Sequence, residues 1–375
     1  MLAACSSPQR PSSNSSPPGA ATAPEPQASA ATAPEATAAA SSASAPTANT
    51  SPSIEAKPLR RNGADYAQRD DARALAQTIA RDQHLPFDWV WSQLSQARYR
   101  DAVAKLIMPA ASSTFKNWAA YKSRFIEPIR IRAGQAFIKN YATDLKRAEQ
   151  TYGVPASVIA GVLGVETIYG RQTGNFRVLD VLSTLSLDFP TGRSDRSAFF
   201  RNELGEFFKL CDEQKLDPVA VQGSYAGAIG WPQFMPSSIR RHAVDFDNDG
   251  RIDLQRSPVD AIGSVAKYLA DHGWQTGQPT HYEITPPQDA DSLSKLLAPD
   301  ILPTFTPAQM SALGTVLPPQ AQAYAGPLAL VQLLNGSDTP TMIAGTHNFY
   351  VITRYNQSSY YALAVILLGQ AVSAP

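Results

Sequence analysis

Between Pro155 and Tyr169 the sequence reads PASVIAGVLGVETIY, and Glu166 is the one charged residue in it. A helix that is apolar on every side is a buried helix. An ionised carboxylate buried without partners is costly, so such a group is paired, protonated or kept for a task. Set one or two turns after Ile159, Val162 and Leu163, the Glu166 carboxyl is expected to be desolvated, which raises its pKa and suits it to donating a proton near neutral pH. The competing reading is an ion pair, with Arg171 as the nearest cation in the chain.

A second stretch, VDFDNDGRIDL, suits a hard cation. Asp245, Asp247 and Asp249 occupy positions 1, 3 and 5 of an EF-hand-like calcium loop, Gly250 supplies the turn at 6, and Arg251 offers a backbone carbonyl at 7. Asp253 fills position 9, but position 12, where a bidentate Glu belongs, is Arg256. Asp260 is the next carboxylate able to complete the coordination. The plainer reading is an Asp-rich turn capping the helix that follows, with Ser257 as N-cap, Pro258 at N1 and Asp260 at N3. Three carboxylates at this spacing repel one another unless a cation is present, which favours calcium. A third stretch, GSYAGAIGWPQFMPSS over 223–238, is a tight glycine-rich turn in which Gln233 offers an amide able to donate and accept.

These residues must be positioned by helices. DARALAQTIARDQHL, FDWVWSQLSQARY and AGQAFIKNYATDLKRAEQTYG space their apolar residues three and four apart, and LDVLSTLSLDFP and RSAFFRNELGEFFKLCDEQK continue the pattern after Glu166. From about 278 the texture changes to short β-rich runs (HYEI, ALVQLL, NFYVIT), Pro-rich turns and one helix, PAQMSALG, which predicts a small α+β lobe. SYYALAVILLGQAV should pack back on the main body as a final helix. Before Tyr66 there is no aromatic residue, and Ala, Ser, Pro and Thr dominate, so 1–64 is expected to be a disordered tether. Lys plus Arg balance Asp plus Glu, 32 against 32, so no global field favours nucleic acid. No run approaches the roughly 18 apolar residues of a membrane span.

Two cysteines are present. Cys211 falls in a helical pattern and is expected to be a buried free thiol without a functional role. Cys5 ends Leu2-Ala3-Ala4-Cys5, which resembles the lipobox of bacterial lipoproteins, whose Cys becomes the lipid-modified first mature residue. Only four residues precede it, fewer than the basic and apolar regions of a signal peptide occupy.

GVETIYGR, the glycine-rich stretch and the calcium-like loop occur in one order with NFYVITRYNQSSYYALAV at 348–365. Together they resemble the lytic murein transglycosylase B family, over a span beginning near Tyr121. The resemblance implies a mainly α (α+β) protein: a lysozyme-like catalytic core at about 151–276 containing the EF-hand-like loop 245–260, a helical domain at about 65–150 joined by the C-terminal helix at about 358–375, and a small α+β lobe at about 277–357. It implies Glu166 as the single catalytic acid/base, cleaving the MurNAc–GlcNAc β-1,4 bond with formation of 1,6-anhydromuramic acid. Substrate contacts are implied for Tyr121, Ser224, Gln233, Tyr268, Tyr355, Asn356 and Tyr361, residue types that stack on sugars or hydrogen-bond to them. The implied metal site is calcium at Asp245, Asp247, Asp249, Arg251 and Asp260, structural in role, with no organic cofactor. Peptidoglycan strands are the implied partner, and the lipobox-like Leu2-Ala3-Ala4-Cys5 separately implies membrane attachment through Cys5 and a periplasmic, outer-membrane location in a Gram-negative bacterium. Asp180 and Asp188 are the candidates for the second carboxylate that ordinary glycoside hydrolases use, and both read as capping or structural. The alternatives are a muramidase that cuts the same bond with water, and a non-catalytic peptidoglycan-binding protein.

Overall fold

The structure is a computed structural model describing residues 66–108, 116–192 and 194–374; Cys5 and the predicted tether lie outside the described residues. Helices dominate. The first six are α1 (Asp70–Gln83), α2 (Phe87–Leu94), α3 (Asp101–Leu106), α4 (Trp118–Ser123), α5 (Pro128–Asn140) and α6 (Ala142–Tyr152). The predicted run 133–153 is thus divided, because Tyr141 leaves helical geometry at φ −116 between α5 and α6. The middle of the chain holds α7 (Ala156–Thr167), β1 (Phe176–Arg177), α8 (Val178–Leu187), α9 (Ser197–Gln214), β2 (Gln222–Gly223), α10 (Pro236–His242) and α11 (Pro258–Asp271). Then come β3 (His281–Glu283), α12 (Ala290–Leu297), α13 (Pro307–Ala312), α14 (Pro319–Gln322), β4 (Ala329–Asn335), β5 (Asp338–Gly345), α15 (His347–Thr353) and α16 (Ser359–Ser373).

Two features position the site. The buried helix α7 runs against the C-terminal α16, which is equally apolar. Their backbones approach through glycine: a Cβ on Gly161 would lie 2.2 Å from the Val365 carbonyl oxygen, and one on Gly369 would lie 2.2 Å from that of Ser157. Only Gly fits such a contact. The short antiparallel pair β1–β2, with Phe176 opposite Gly223, then brings the start of the glycine-rich stretch to the segment that follows α7.

The three-stranded antiparallel sheet has order β3-β5-β4 and carries its own small core of Leu296, Met310, Leu317, Ala321, Leu328, Leu330 and Ala344. HYEI and ALVQLL supply β3 and β4 as expected, and PAQMSALG supplies α13. NFYVIT does not form a strand. It is the body of α15, where Phe349, Val351 and Ile352 are all fully buried. A short run rich in β-branched and aromatic residues is ambiguous on periodicity, and here burial on several sides decides for helix. The side chain of Asn348 fixes the helix start by accepting from Gln275 N at 2.8 Å and donating to the carbonyls of Gln275 and Gln278.

Candidate active site

Glu166 lies in the last turn of α7 and is half-buried. The helix stops immediately after it in a left-handed turn, with φ of 51 at Ile168, 54 at Tyr169 and 81 at Gly170. Left-handed geometry costs about 1–2 kcal/mol for an ordinary residue and more for a β-branched one. Its persistence therefore marks a backbone over-determined by its surroundings. Those surroundings are visible. Thr167, fully buried, donates to the Trp231 carbonyl at 2.9 Å and accepts from Gly170 N at 3.0 Å, tying the end of α7 to the glycine-rich stretch. Gly170 passes so close to the Trp231 ring that a Cβ would meet it at 2.3 Å. Arg130 of α5 is buried with Nε 2.9 Å from the Gly164 carbonyl, so a cation sits at the C-terminal end of α7 where the helix dipole favours it.

Across from α7, Tyr361 of α16 donates its phenolic proton to Glu166 Oε1 at 2.6 Å. Tyr361 is 1 % exposed. Burial, followed by the charge of Glu166, holds its pKa well above the usual phenol value, so it stays a donor. The same two causes in the same order raise Tyr355, and raise Tyr121 to about 12. Glu166 is thus the carboxylate whose charge reaches all three tyrosines. With Oε1 accepting from Tyr361, the carboxyl group is held in one orientation at the end of α7.

Behind Tyr361 stands a wall of rings. Tyr355 stacks on it at 6.0 Å between centroids, Tyr268 meets Tyr355 at 4.9 Å, and His272 stacks on Tyr268 at 4.1 Å. The hydroxyls in this wall are spent on protein acceptors: Tyr355 donates to the Pro232 carbonyl at 2.5 Å and Tyr268 to that of Arg354 at 2.8 Å. Tyr268, Tyr355 and Tyr361 are therefore brought together with Glu166 as a buried support. Tyr121 and Asn356 keep partial exposure. Ser224 is buried, its hydroxyl accepting from Ala226 N and Ala228 N to hold the glycine-rich turn. Gln233 is buried at φ 52 and donates both amide hydrogens, to the carbonyls of Gly230 at 2.9 Å and Thr173 at 3.2 Å. That leaves its amide oxygen as the atom able to accept from a ligand.

Asp180 and Asp188 are placed in ion pairs with the N-terminal part of the described chain. Asp180, fully buried, accepts from Arg98 N, Arg100 Nε and the Arg177 guanidinium. Asp188 accepts from Tyr66 Oη at 2.9 Å and Arg69 at 2.6 Å. Both thus have the structural role read from the sequence. Cys211 is buried, and desolvation pushes its thiol up to about 12.

Ligand oxygens of Asp245, Asp247 and Asp249 all lie within 4.8 Å of one another. Gly250, at φ 92, makes the turn the pattern requires. Asp260 stands outside that group. Its carboxylate accepts from the backbone N–H of Phe246 at 2.7 Å, Asp247 at 3.3 Å and Asp253 at 2.8 Å, so it braces the loop from behind, while its own N–H donates at 3.1 Å to the hydroxyl of Ser257, the N-cap of α11. Arg251 turns its guanidinium to Asp249, Nε 3.2 Å from Oδ2. An all-oxygen donor set on a sharp turn fits calcium.

Sequence reasoning did not single out Thr167, Trp231, Arg130 or Glu203, whose buried carboxylate accepts from Ser237 N and Oγ and so caps α10 just beyond Gln233. The signal for Thr167 was its place beside Glu166; the others are joined to the site only by the fold.

The family model for the transglycosylase SLT domain matches residues 67–370. The chain belongs to this transglycosylase family. Membrane-bound lytic murein transglycosylase B of Escherichia coli (strain K12) is 36% identical over 319 residues, covering 83% of this chain and 85% of that protein. Two solved transglycosylases have the same fold. Escherichia coli Slt35 in complex with calcium superposes with TM-score 0.72 at 37% identity, covering 83% of this chain and 95% of the other. SltB3 from Pseudomonas aeruginosa in complex with NAG-anhNAM-pentapeptide gives TM-score 0.67 at 27% identity, covering 83% and 80%. The transglycosylase fold is thus the mainly α, lysozyme-like one expected from the motifs. Among its described residues no helix is long and apolar enough to cross a membrane.

Proposed function

We propose that Glu166 is the single acid/base of a lytic transglycosylase that cuts the MurNAc–GlcNAc β-1,4 bond of peptidoglycan. The observation that carries this reading is the Glu166–Tyr361 pair: one half-buried carboxyl held at 2.6 Å by a buried phenol, while Asp180 and Asp188 are committed to arginines. Protonated Glu166 gives its proton to the glycosidic oxygen, and the bond from that oxygen to C1 of the muramyl residue breaks. The C6 hydroxyl of the same residue then attacks C1, and Glu166 takes the hydroxyl proton. The product is a 1,6-anhydro ring; no water is consumed, so no second carboxylate is needed to activate one. Tyr361 keeps Glu166 oriented through both half-reactions.

Tyr121, Asn356 and the amide oxygen of Gln233 contact the glycan, with Ser224, Tyr268, Tyr355 and Tyr361 shaping the groove from behind. Calcium binds Asp245, Asp247, Asp249 and the Arg251 carbonyl, with Asp260 bracing the loop. When bound it supplies charge neutralisation, and its role is structural. The division into a helical domain with the C-terminal helix, a lysozyme-like core and a small α+β lobe is supported by the separate apolar core around Leu296 and Met310. Cys5 carries a lipid anchor that places the protein at the periplasmic side of an outer membrane.

The test is mass spectrometry of muropeptides released from purified sacculi by the protein. Anhydro-ended products, one water lighter than reducing-end ones, are expected. Reducing muramic acid ends would make the protein a muramidase instead, and no release at all would make it a binding protein.

A further inference from the structure

A cavity of about 710 Å³ lies between the C-terminal end of α9, the chain that leads from it into β2, and the segment 250–256 that closes the acidic loop. Its volume is well inside the range of ligand pockets, about 300–1,000 Å³, and none of the residues proposed to contact the glycan lines it. The floor is aliphatic, made by Val221, Ile229, Ile239 and Leu254, and Leu216 stands in the lining 39 % exposed. Apolar surface is thus left for a ligand to cover.

Six charged residues line the cavity, and five of them are engaged elsewhere. Glu213 pairs with Arg240 at 2.8 Å, Lys215 with Asp212 at 3.4 Å and Arg251 with Asp249 at 3.2 Å. Asp217 accepts from Val219 N, and Asp253 from the N–H groups of Gln255 and Arg256. The sixth is Arg256, which is exposed and whose guanidinium has no ion-pair or hydrogen-bond partner among the described residues. It also stands where a calcium loop would carry its bidentate Glu, so the metal reading leaves it without a task. An unused cation above an aliphatic floor matches an anion with an aliphatic body.

The cavity backs onto the glycine-rich stretch. The Leu254 carbonyl accepts from Trp231 N at 2.8 Å, and Gln255 Nε2 donates to the Gln222 carbonyl at 2.8 Å. A Cβ on Gly230 would lie 2.2 Å from the Leu254 carbonyl oxygen, so an occupant against Leu254 and Ile229 bears on the segment that carries Gln233. We propose that this cavity is an effector site for an aliphatic carboxylate, with its hydrocarbon on the floor and its head group on Arg256. The inference needs only that the chain is a transglycosylase; it does not depend on the role of Glu166.

A fatty acid and the C-terminal end of an aliphatic peptide share this chemistry. The test is calorimetric titration of the full chain, in calcium, with decanoate, with N-acetyl-leucyl-leucine and with decanol as the neutral counterpart. Decanoate or the peptide should bind at least about 5-fold tighter than decanol, as expected for one charge-assisted bond at an exposed arginine, and the tighter of the two names the source. Arg256→Gln should remove that advantage and leave decanol binding unchanged, whereas Leu216→Asp should weaken decanoate and decanol alike. In turnover of solubilised glycan strands, saturating decanoate should shift the apparent KM of the wild type about 5-fold and that of Arg256→Gln not at all. Equal affinity for decanoate and decanol, or an Arg256→Gln variant that binds carboxylates as the wild type does, would overturn the site. An unshifted KM with the cavity filled would overturn its role as an effector.

Discussion

Glu166 sits half-buried at the end of an apolar helix with a phenol 2.6 Å from one oxygen, whereas Asp245, Asp247 and Asp249 lie at the surface with their ligand oxygens within 4.8 Å of one another. The first site holds one carboxylate, partly shielded from water, against a buried phenol, which suits the acid/base role proposed for Glu166. The second gathers three carboxylates about one point on a sharp turn, an all-oxygen arrangement that suits a cation. Helix α11 connects the two. Asp260 at its first turn braces the acidic loop, and Tyr268, eight residues or about 12 Å further along at 1.5 Å per residue, stands in the ring wall behind Glu166. A carboxylate cluster can thus be tied to a site through a helix and its packing, which is the structural role proposed for the acidic loop.

The largest effect is expected where α7 meets α16, the contact that holds Glu166 in place. Gly161→Val puts a side chain into the Val365 carbonyl, and a loss of about 4 kcal/mol or more is expected in chemical denaturation, with activity lost alongside. Tyr361→Phe is the gentler probe. It keeps the ring stack and removes one donor, so activity on sacculi should fall about 10- to 100-fold while stability changes by no more than about 1–2 kcal/mol. An unchanged rate would mean that the phenol does not orient the acid.

The loop side of the comparison is tested by metal. Calcium at about 100 times its dissociation constant should stabilise the wild type by roughly 2.7 kcal/mol, seen as a melting temperature several degrees higher than in chelator. Asp249→Ala should abolish that rise yet leave the rate at 25 °C nearly unchanged. A large loss of rate on chelation below the melting range would put the ion in the chemistry.

The smallest expected effect is on pH. Burial lowers the pKa of His242 and of His272, beneath the ring wall, with Asp271 opposing it and Lys267, Arg241 and Arg354 adding to it. The unfolded chain therefore binds more protons in this range, and stability rises with pH. The loss begins as pH falls through about 6.5, the unfolded value, and is complete below the folded values. His272→Gln should flatten that part of the stability–pH curve by about 1 kcal/mol or less; an unaltered curve would show that the stacked imidazole does not titrate with folding.

Much of this was legible in the sequence because the signals are local. Glu166 stood out as a charge in an apolar run, the acidic loop by its spacing, and the long helices by their period. The misses are of two kinds. Strand Asp338–Gly345 had a signal in Gly336–Ser337, the two-residue hairpin loop before it, and went unnoticed because its first half, DTPT, is polar and contains a proline. Helix His347–Thr353 had the composition of a strand, and burial of Phe349, Val351 and Ile352 settled its state. At the site, tyrosines expected to offer faces to sugar proved to be buried supports, with Tyr355 bonded to Pro232 and Tyr268 to Arg354, 123 and 86 residues away. No local pattern reports contacts at that range.

The most direct measurement is turbidity loss of purified sacculi with Glu166→Gln. The amide keeps the shape and burial of the side chain and removes the transferable proton. A folded protein with an unchanged or higher melting temperature and a rate reduced by at least about 10²- to 10⁴-fold is expected. Near wild-type clearing by a folded Glu166→Gln would show that the proton comes from elsewhere.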